Sequence, residues 1–97
     1  MNNYNGRVVV VTGAGSGMGR AMVTEFVSRG ARVAALDINL ESAKESASLV
    51  ENSELVFPFK VDVCSPVSVQ EAIDAVISQW DRIDLLCNNA GILDGHA

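Results

Sequence analysis

The sequence is short of most residues that do chemistry by themselves. Its one histidine, His96, stands beside the end of the chain and reads as a solvated tail residue. The two cysteines, Cys64 and Cys87, have neither CxxC spacing nor a paired histidine, so they read as small hydrophobes in a reducing compartment. No metal site is expected. Basic charge is scarce as well: 7 Lys and Arg against 12 Asp and Glu give a formal net charge of −5, with no block of Lys or Arg. That balance argues against a nucleic-acid or anionic-membrane partner. No apolar run approaches the roughly 18 residues of a membrane span, and the opening MNNYNGR lacks the basic region and apolar core of a secretory signal. A cytoplasmic location is the default. At 48% hydrophobic and 20% charged, the 97 residues have the composition of one ordinary folded domain.

What the sequence does have is concentrated between Val8 and Gly19, VVVVTGAGSGMG. Four consecutive valines suit a short parallel strand buried on both faces. They break into a turn holding Gly13, Gly15, Gly17 and Gly19, and Arg20 to Arg29 then reads as a helix. A strand that passes through a glycine turn into a helix aims unpaired N–H groups and the positive end of a helix dipole at one point, where a pyrophosphate can sit. The spacing separates the folds that use this geometry. A GxxxxGK[ST] phosphate loop fails, because Gly19 is followed by Arg20 and Ala21. GxGxxG fails too, since either start puts Met18 or Arg20 in the third glycine place.

The arrangement that fits is TGxxxGxG, formed by Thr12, Gly13, Gly17 and Gly19. It resembles the short-chain dehydrogenase/reductase family, in its single-domain branch. The resemblance implies a Rossmann-type doubly wound parallel sheet of the α/β class, here four strands in the order 3-2-1-4 with flanking helices. It also implies that Gly13, Ser16, Gly17, Met18 and Gly19 border the cofactor.

Further along, Met18, Met22 and Phe26, widened by Val23 and Val27, give the first helix an apolar face, and Gly30 supplies its stop. Residues 1 to 6 read as a frayed lead-in. Arg32 to Asp37 is a second strand ending in an acidic residue about 20 positions beyond the turn, the place from which a carboxylate bonds the adenosine ribose hydroxyls. The same carboxylate would face the 2′-phosphate of NADP; at about 4 Å, like charges repel by about 1 kcal/mol in water and about 4 at an effective dielectric of 20. Asp37 therefore favours NAD. Ser16 agrees, standing where many NADP-using relatives carry a basic residue.

Asn39 can cap a second helix with Leu40, Ala43, Ala47 and Val50 on one stripe, ended by Asn52 and Ser53. Glu54 to Val61 is a third strand, and Pro58 assigns it to an edge, as the family's strand order also does. The resemblance places the adenine beside Asp62 and Val63; the alternative is that Asp62 merely caps a turn. Ser65-Pro66 starts a third helix with a core stripe of Val69, Ala72, Ile73, Val76, Ile77 and Trp80.

Asp84 to Cys87 is a fourth strand leading into Asn88-Asn89-Ala90-Gly91, matching the family's NNAG. There Asn89, Ala90 and Gly91 are expected beside the nicotinamide-side ribose, with asparagine amides bonded to main chain. The family usually has glycine where Asp81 stands. Its catalytic serine, YxxxK pair and helix asparagine have no counterpart here: Tyr4 precedes the first strand and has no lysine four residues on. The implied reading is the NAD-binding portion of a single Rossmann-fold domain, residues 1–97, cut before its catalytic half and inactive alone. The complete form would move hydride between NAD(H) and an alcohol or carbonyl substrate, as a homo-oligomer. A noncatalytic dinucleotide-binding or regulatory module is the alternative, and a methyltransferase-like fold fails on the glycine spacing and on NNAG. Cutting the sheet at its fourth strand is expected to leave an open edge and a marginally stable or aggregation-prone chain.

Overall fold

The valine run forms strand β1, Val8–Thr12, and every residue of it is buried. The computed structural model describes residues 3–90. After β1 come helix α1 (Gly17–Ser28), strand β2 (Arg32–Asp37), helix α2 (Leu40–Ser48), a 3-10 turn (Ser53–Leu55), strand β3 (Val56–Lys60), helix α3 (Pro66–Trp80) and strand β4 (Leu85–Asn88). The strands make one sheet in the order β3-β2-β1-β4, and each pairing is parallel. This is the Rossmann-type order expected from the resemblance. β1 needs no polar face because both of its faces are covered. Val9 and Val11 join a cluster with Val23 and Val27 of α1 and Ala47 close to the end of α2, while Val8 and Val10 join another with Ala72 and Val76 of α3.

The first helix begins at Gly17, three positions before the Arg20 start expected from the sequence. Glycine's poor helix propensity hid that turn; glycine stands at 19 because a Cβ there would run into the Gly13 carbonyl. The buried face also differs from the stripe read from the sequence. Gly19, Val23 and Val27 lie inward with Met22 and Phe26 flanking them, whereas Met18 is 72% exposed and leaves the stripe assigned to it. At the other end Gly30 stops the helix as expected: its N–H reaches the Val27 carbonyl at 2.9 Å and the Ala31 N–H reaches that of Phe26 at 3.1 Å. Residues 3–6 are not a loose lead-in. The Tyr4 N–H donates to the Arg29 carbonyl at 2.9 Å, and the Tyr4 ring stands edge-on to Phe26 at 5.2 Å.

Helix α2 starts where expected, with Asn39 accepting from the Ser42 amide at 3.2 Å, but it ends at Ser48, and its buried face includes Ser46 beside Ala43 and Ala47. β3 begins only at Val56, after the 3-10 turn, and Pro58 sits on this outer strand opposite Ala35. Ser65 caps α3 through the Ser68 amide at 3.2 Å, ahead of Pro66. Ala72 and Val76 are buried as read, while Ile77 is 40% exposed. Asp81 ends α3 in the left-handed region, φ +70°, which explains glycine at this place in the family. β4, beyond β1, forms the other edge of the described sheet, and Leu85 and Leu86 are part-exposed.

Candidate functional site

The C-terminal ends of β1, β2 and β4 converge on the glycine turn. Ser16 holds an extended conformation ahead of α1 and makes no side-chain cap, and the first amide to bond back is that of Arg20, reaching the Ser16 carbonyl at 3.2 Å. The Gly17, Met18 and Gly19 amides therefore have no acceptor among the described residues. Gly17 takes φ +56°, and a Cβ built there would meet no described atom within 4 Å. The helix N-terminus thus offers an anion three amides that bond to no other described residue.

Asp37 stands at the end of β2, half-buried against this turn. One carboxylate oxygen accepts from the Gly15 amide at 2.8 Å and the other from the Asn39 amide at 2.9 Å. A carboxylate oxygen has two acceptor sites, so each can take a further donor. Gly13, Asp37, Asp62, Val63 and Ala90 line one cleft together with Ile38 and Val61. Five residues named from the sequence are thereby brought to one place. Ser16, Gly17, Met18 and Gly19 lie on the helix side of the turn outside that lining, as does Asn89; Gly91 falls outside the described residues.

Hydrogen bonds add detail to two of these assignments. Asp62 does cap its own turn: its Oδ1 accepts from the Cys64 amide at 3.0 Å and its carbonyl from the Ser65 amide at 2.9 Å. It lines the cleft all the same, so capping and bordering coexist. Among the described residues, the Asn88 and Asn89 side chains bond side chains and not main chain. Asn88 Oδ1 accepts from the Thr12 hydroxyl at 2.7 Å, and Asn89 Nδ2 donates to the Met22 sulfur at 3.1 Å. The main-chain link comes from the Asn89 amide to the Thr12 carbonyl at 3.2 Å, while the Ala90 amide reaches the Thr12 hydroxyl at 3.3 Å. Thr12, 4% exposed, is therefore the hub that ties β4's end to β1's.

Sequence reasoning missed Ile38, a 57% exposed side chain on the cleft, whose signal was an apolar residue directly after an acidic strand end. It also missed Ser46 and Arg20, which no spacing marks. Cys87 is free and half-buried, and burial pushes its thiol pKa up, which disfavours the thiolate. Among the described residues no three His, Cys, Asp or Glu side chains are grouped to hold a metal ion.

Residues 7–97 match the short chain dehydrogenase family. The chain is 42% identical over 89 residues to D-threitol dehydrogenase of Mycolicibacterium smegmatis, covering 91% of this chain and 34% of that protein. It is 44% identical over 88 residues to 2-(R)-hydroxypropyl-CoM dehydrogenase of Xanthobacter autotrophicus, covering 89% of this chain and 35% of that one. Among solved structures, a 3-ketoacyl-(acyl-carrier-protein) reductase from Brucella melitensis complexed with NADH superposes with a TM-score of 0.80 at 28% identity, over 87% of this chain and 34% of the other. The chain spans about a third of the length of these relatives.

Proposed function

The chain belongs to the short chain dehydrogenase family, and on that premise we propose that it is the NAD-binding portion of an oxidoreductase acting on an alcohol or carbonyl substrate. One observation carries the reading: three amides at the N-terminus of α1 have no acceptor among the described residues, and the Asp37 carboxylate is fixed beside the same turn. The residues fit a nicotinamide dinucleotide. The Gly17, Met18 and Gly19 amides would hold its pyrophosphate, Asp37 its adenosine ribose hydroxyls, and Ile38, Asp62 and Val63 would border its adenine. Asn89, Ala90 and Gly91 would flank its nicotinamide-side ribose. The bound nicotinamide would supply a hydride acceptor or donor. What these residues contribute is grip and orientation, not proton transfer. A nearby relative's NADH complex supports the cofactor class, and the choice of NAD over NADP rests on Asp37's charge.

Turnover by the chain alone is not part of this proposal. Tyr4, the one tyrosine in the sequence, is docked against Phe26 at the opposite end of α1 from the open amides. The cytoplasm and a homo-oligomeric complete protein remain the readings for location and assembly; no helix of the described residues is long and apolar enough to cross a membrane. Calorimetric titration with NAD and NADP tests the cofactor reading. NAD should bind more tightly, and equal affinity for both would remove Asp37 as the discriminator. Alcohol-dependent NADH formation by the 97 residues would refute the assignment of catalysis to the rest of the family's domain.

A further inference from the structure

The peptide unit joining Ala14 to Gly15 is fastened at both ends. Its carbonyl, on Ala14, accepts from the Ser46 hydroxyl at 2.6 Å, and its N–H, on Gly15, donates to Asp37 at 2.8 Å. Ser46 belongs to α2 and is fully buried. A serine inside a helix ordinarily turns its hydroxyl back to the carbonyl four residues earlier, here Ser42. It does not do so in this chain. Arg20 Nε donates to the Ser46 oxygen at 2.8 Å, while Arg20 Nη2 faces the Ser42 carbonyl at 3.4 Å and the Glu45 carboxylate at 3.0 Å. With an N–H pointed at its oxygen, the Ser46 hydroxyl directs its own proton elsewhere, and the acceptor it meets is Ala14.

We infer that Ser46, oriented by Arg20, is a positioning residue that locks the Ala14–Gly15 peptide and thereby sets both the Asp37 carboxylate and the open amides that follow. The inference rests on the dinucleotide reading of the turn. Its physical basis is that a peptide bordering glycine turns over at little steric cost, and a flipped Ala14–Gly15 unit would face its carbonyl oxygen to Asp37 in place of its N–H. Ser46 prevents this by holding the carbonyl from the far side. The lock also explains a buried hydroxyl in a helix face otherwise made of alanine. Arg20 and Ser46 act through the turn and not on the cofactor itself.

The test compares the unsubstituted chain with Ser46→Ala and Arg20→Met, following amide exchange and proton shift at Gly15 and NADH affinity by fluorescence. Ser46→Ala leaves the Ala14 carbonyl without its donor, so Gly15 exchange should rise about tenfold, its proton should move upfield, and NADH should bind about tenfold more weakly. Val10 and Ala34 should keep their exchange rates. Arg20→Met keeps the serine but frees its hydroxyl, and should give the same changes at about threefold; it decides the matter where Ser46→Ala fails to fold. An unchanged Gly15 signal with unchanged NADH affinity overturns the lock. So does a loss shared equally by Val10 and Ala34, which would mean a loosened sheet. If the unsubstituted chain does not bind NADH, the proposed function fails, and Gly15 exchange still decides the lock; if it binds and Ser46→Ala binds equally, the lock fails and the proposed function stands.

Discussion

Strands β1 and β4 lie side by side in register, and both are mostly apolar, yet they live in different surroundings. Val10 is fully buried, and its register partner Leu86 is 49% exposed. The side chains do not account for this, because leucine is the larger hydrophobe. Position does: β1 has a strand on each side and helices over both faces, whereas β4 has β1 on one side and no described strand on the other. Burial here is a property of the place in the sheet, and an apolar run in the sequence reports only that burial is permitted.

The largest effect follows from that contrast. Val10→Ala removes methyl groups from a site with no solvent and little room to collapse, and should cost about 2 to 3 kcal/mol in urea denaturation. Leu86→Ala should cost less than about 1 kcal/mol, although it deletes more atoms, since half of that surface is already wet. Equal costs would break the comparison and imply that β4 is covered in solution. Next in size is Asp37→Ala, which tests the polar counterpart of the same contrast, the end of β2 beside the turn. NAD affinity should fall about tenfold with the loss of a charged acceptor, and NADP affinity should rise as the repulsion goes. An unchanged NADP affinity would contradict the role given to charge.

How much of this was legible in the sequence follows the same division. Where a local rule decides the structure, the reading held: β2's bounds, the Asn39 and Ser65 caps and the Gly30 stop each depend on one residue and its near neighbours. Pro58 belongs with them, since a missing N–H excludes a central strand. Where a distant partner decides, the reading failed. The glycine at 19 in α1's first turn answers to Gly13's carbonyl, the docking of Tyr4 depends on Phe26, and the burial of Ser46 depends on Ala14 and Arg20. The site divides likewise. Glycine spacing and the acidic strand end mark the turn and Asp37, but nothing in the NNAG letters says that Asn88 bonds Thr12 rather than main chain.

A smaller effect concerns how the chain leaves α3 for β4. Asp81 holds φ +70° with a side chain attached, a conformation that costs an L-residue about 1 to 2 kcal/mol, part of which aspartate recovers by local hydrogen bonding. Asp81→Gly removes that strain but adds freedom to the unfolded chain worth about 0.5 to 1 kcal/mol. The net should be a stabilisation of about 0.5 kcal/mol, visible as a small rise in denaturation midpoint. A loss of stability would show that the aspartate makes a compensating bond.

The smallest effect tests the seam between the two strands. Asp84 accepts from the Val8 amide at 2.8 Å through one oxygen and from Arg82 Nη2 at 2.7 Å through the other, so a carboxylate just before β4 is bonded to the first residue of β1. The Arg82 hydrogen bond, followed by that of the Val8 amide, holds the Asp84 pKa below its ordinary value, against a partial opposing push from desolvation. A carboxyl group whose pKa is lower folded than unfolded favours the folded state while it is ionised in both. Its contribution is complete above the ordinary carboxylate pKa and is lost as pH falls through the depressed folded value. Because the Arg82 side chain is 56% exposed, solvent screens the pair, and the acid limb of the denaturation midpoint should shift only slightly. Asp84→Asn should flatten that limb while leaving the Val10 and Leu86 costs unchanged, as expected if the seam joins the strands without deciding which of them is buried. An acid limb identical with and without the carboxylate would mean that β4 is held to β1 by its ladder alone.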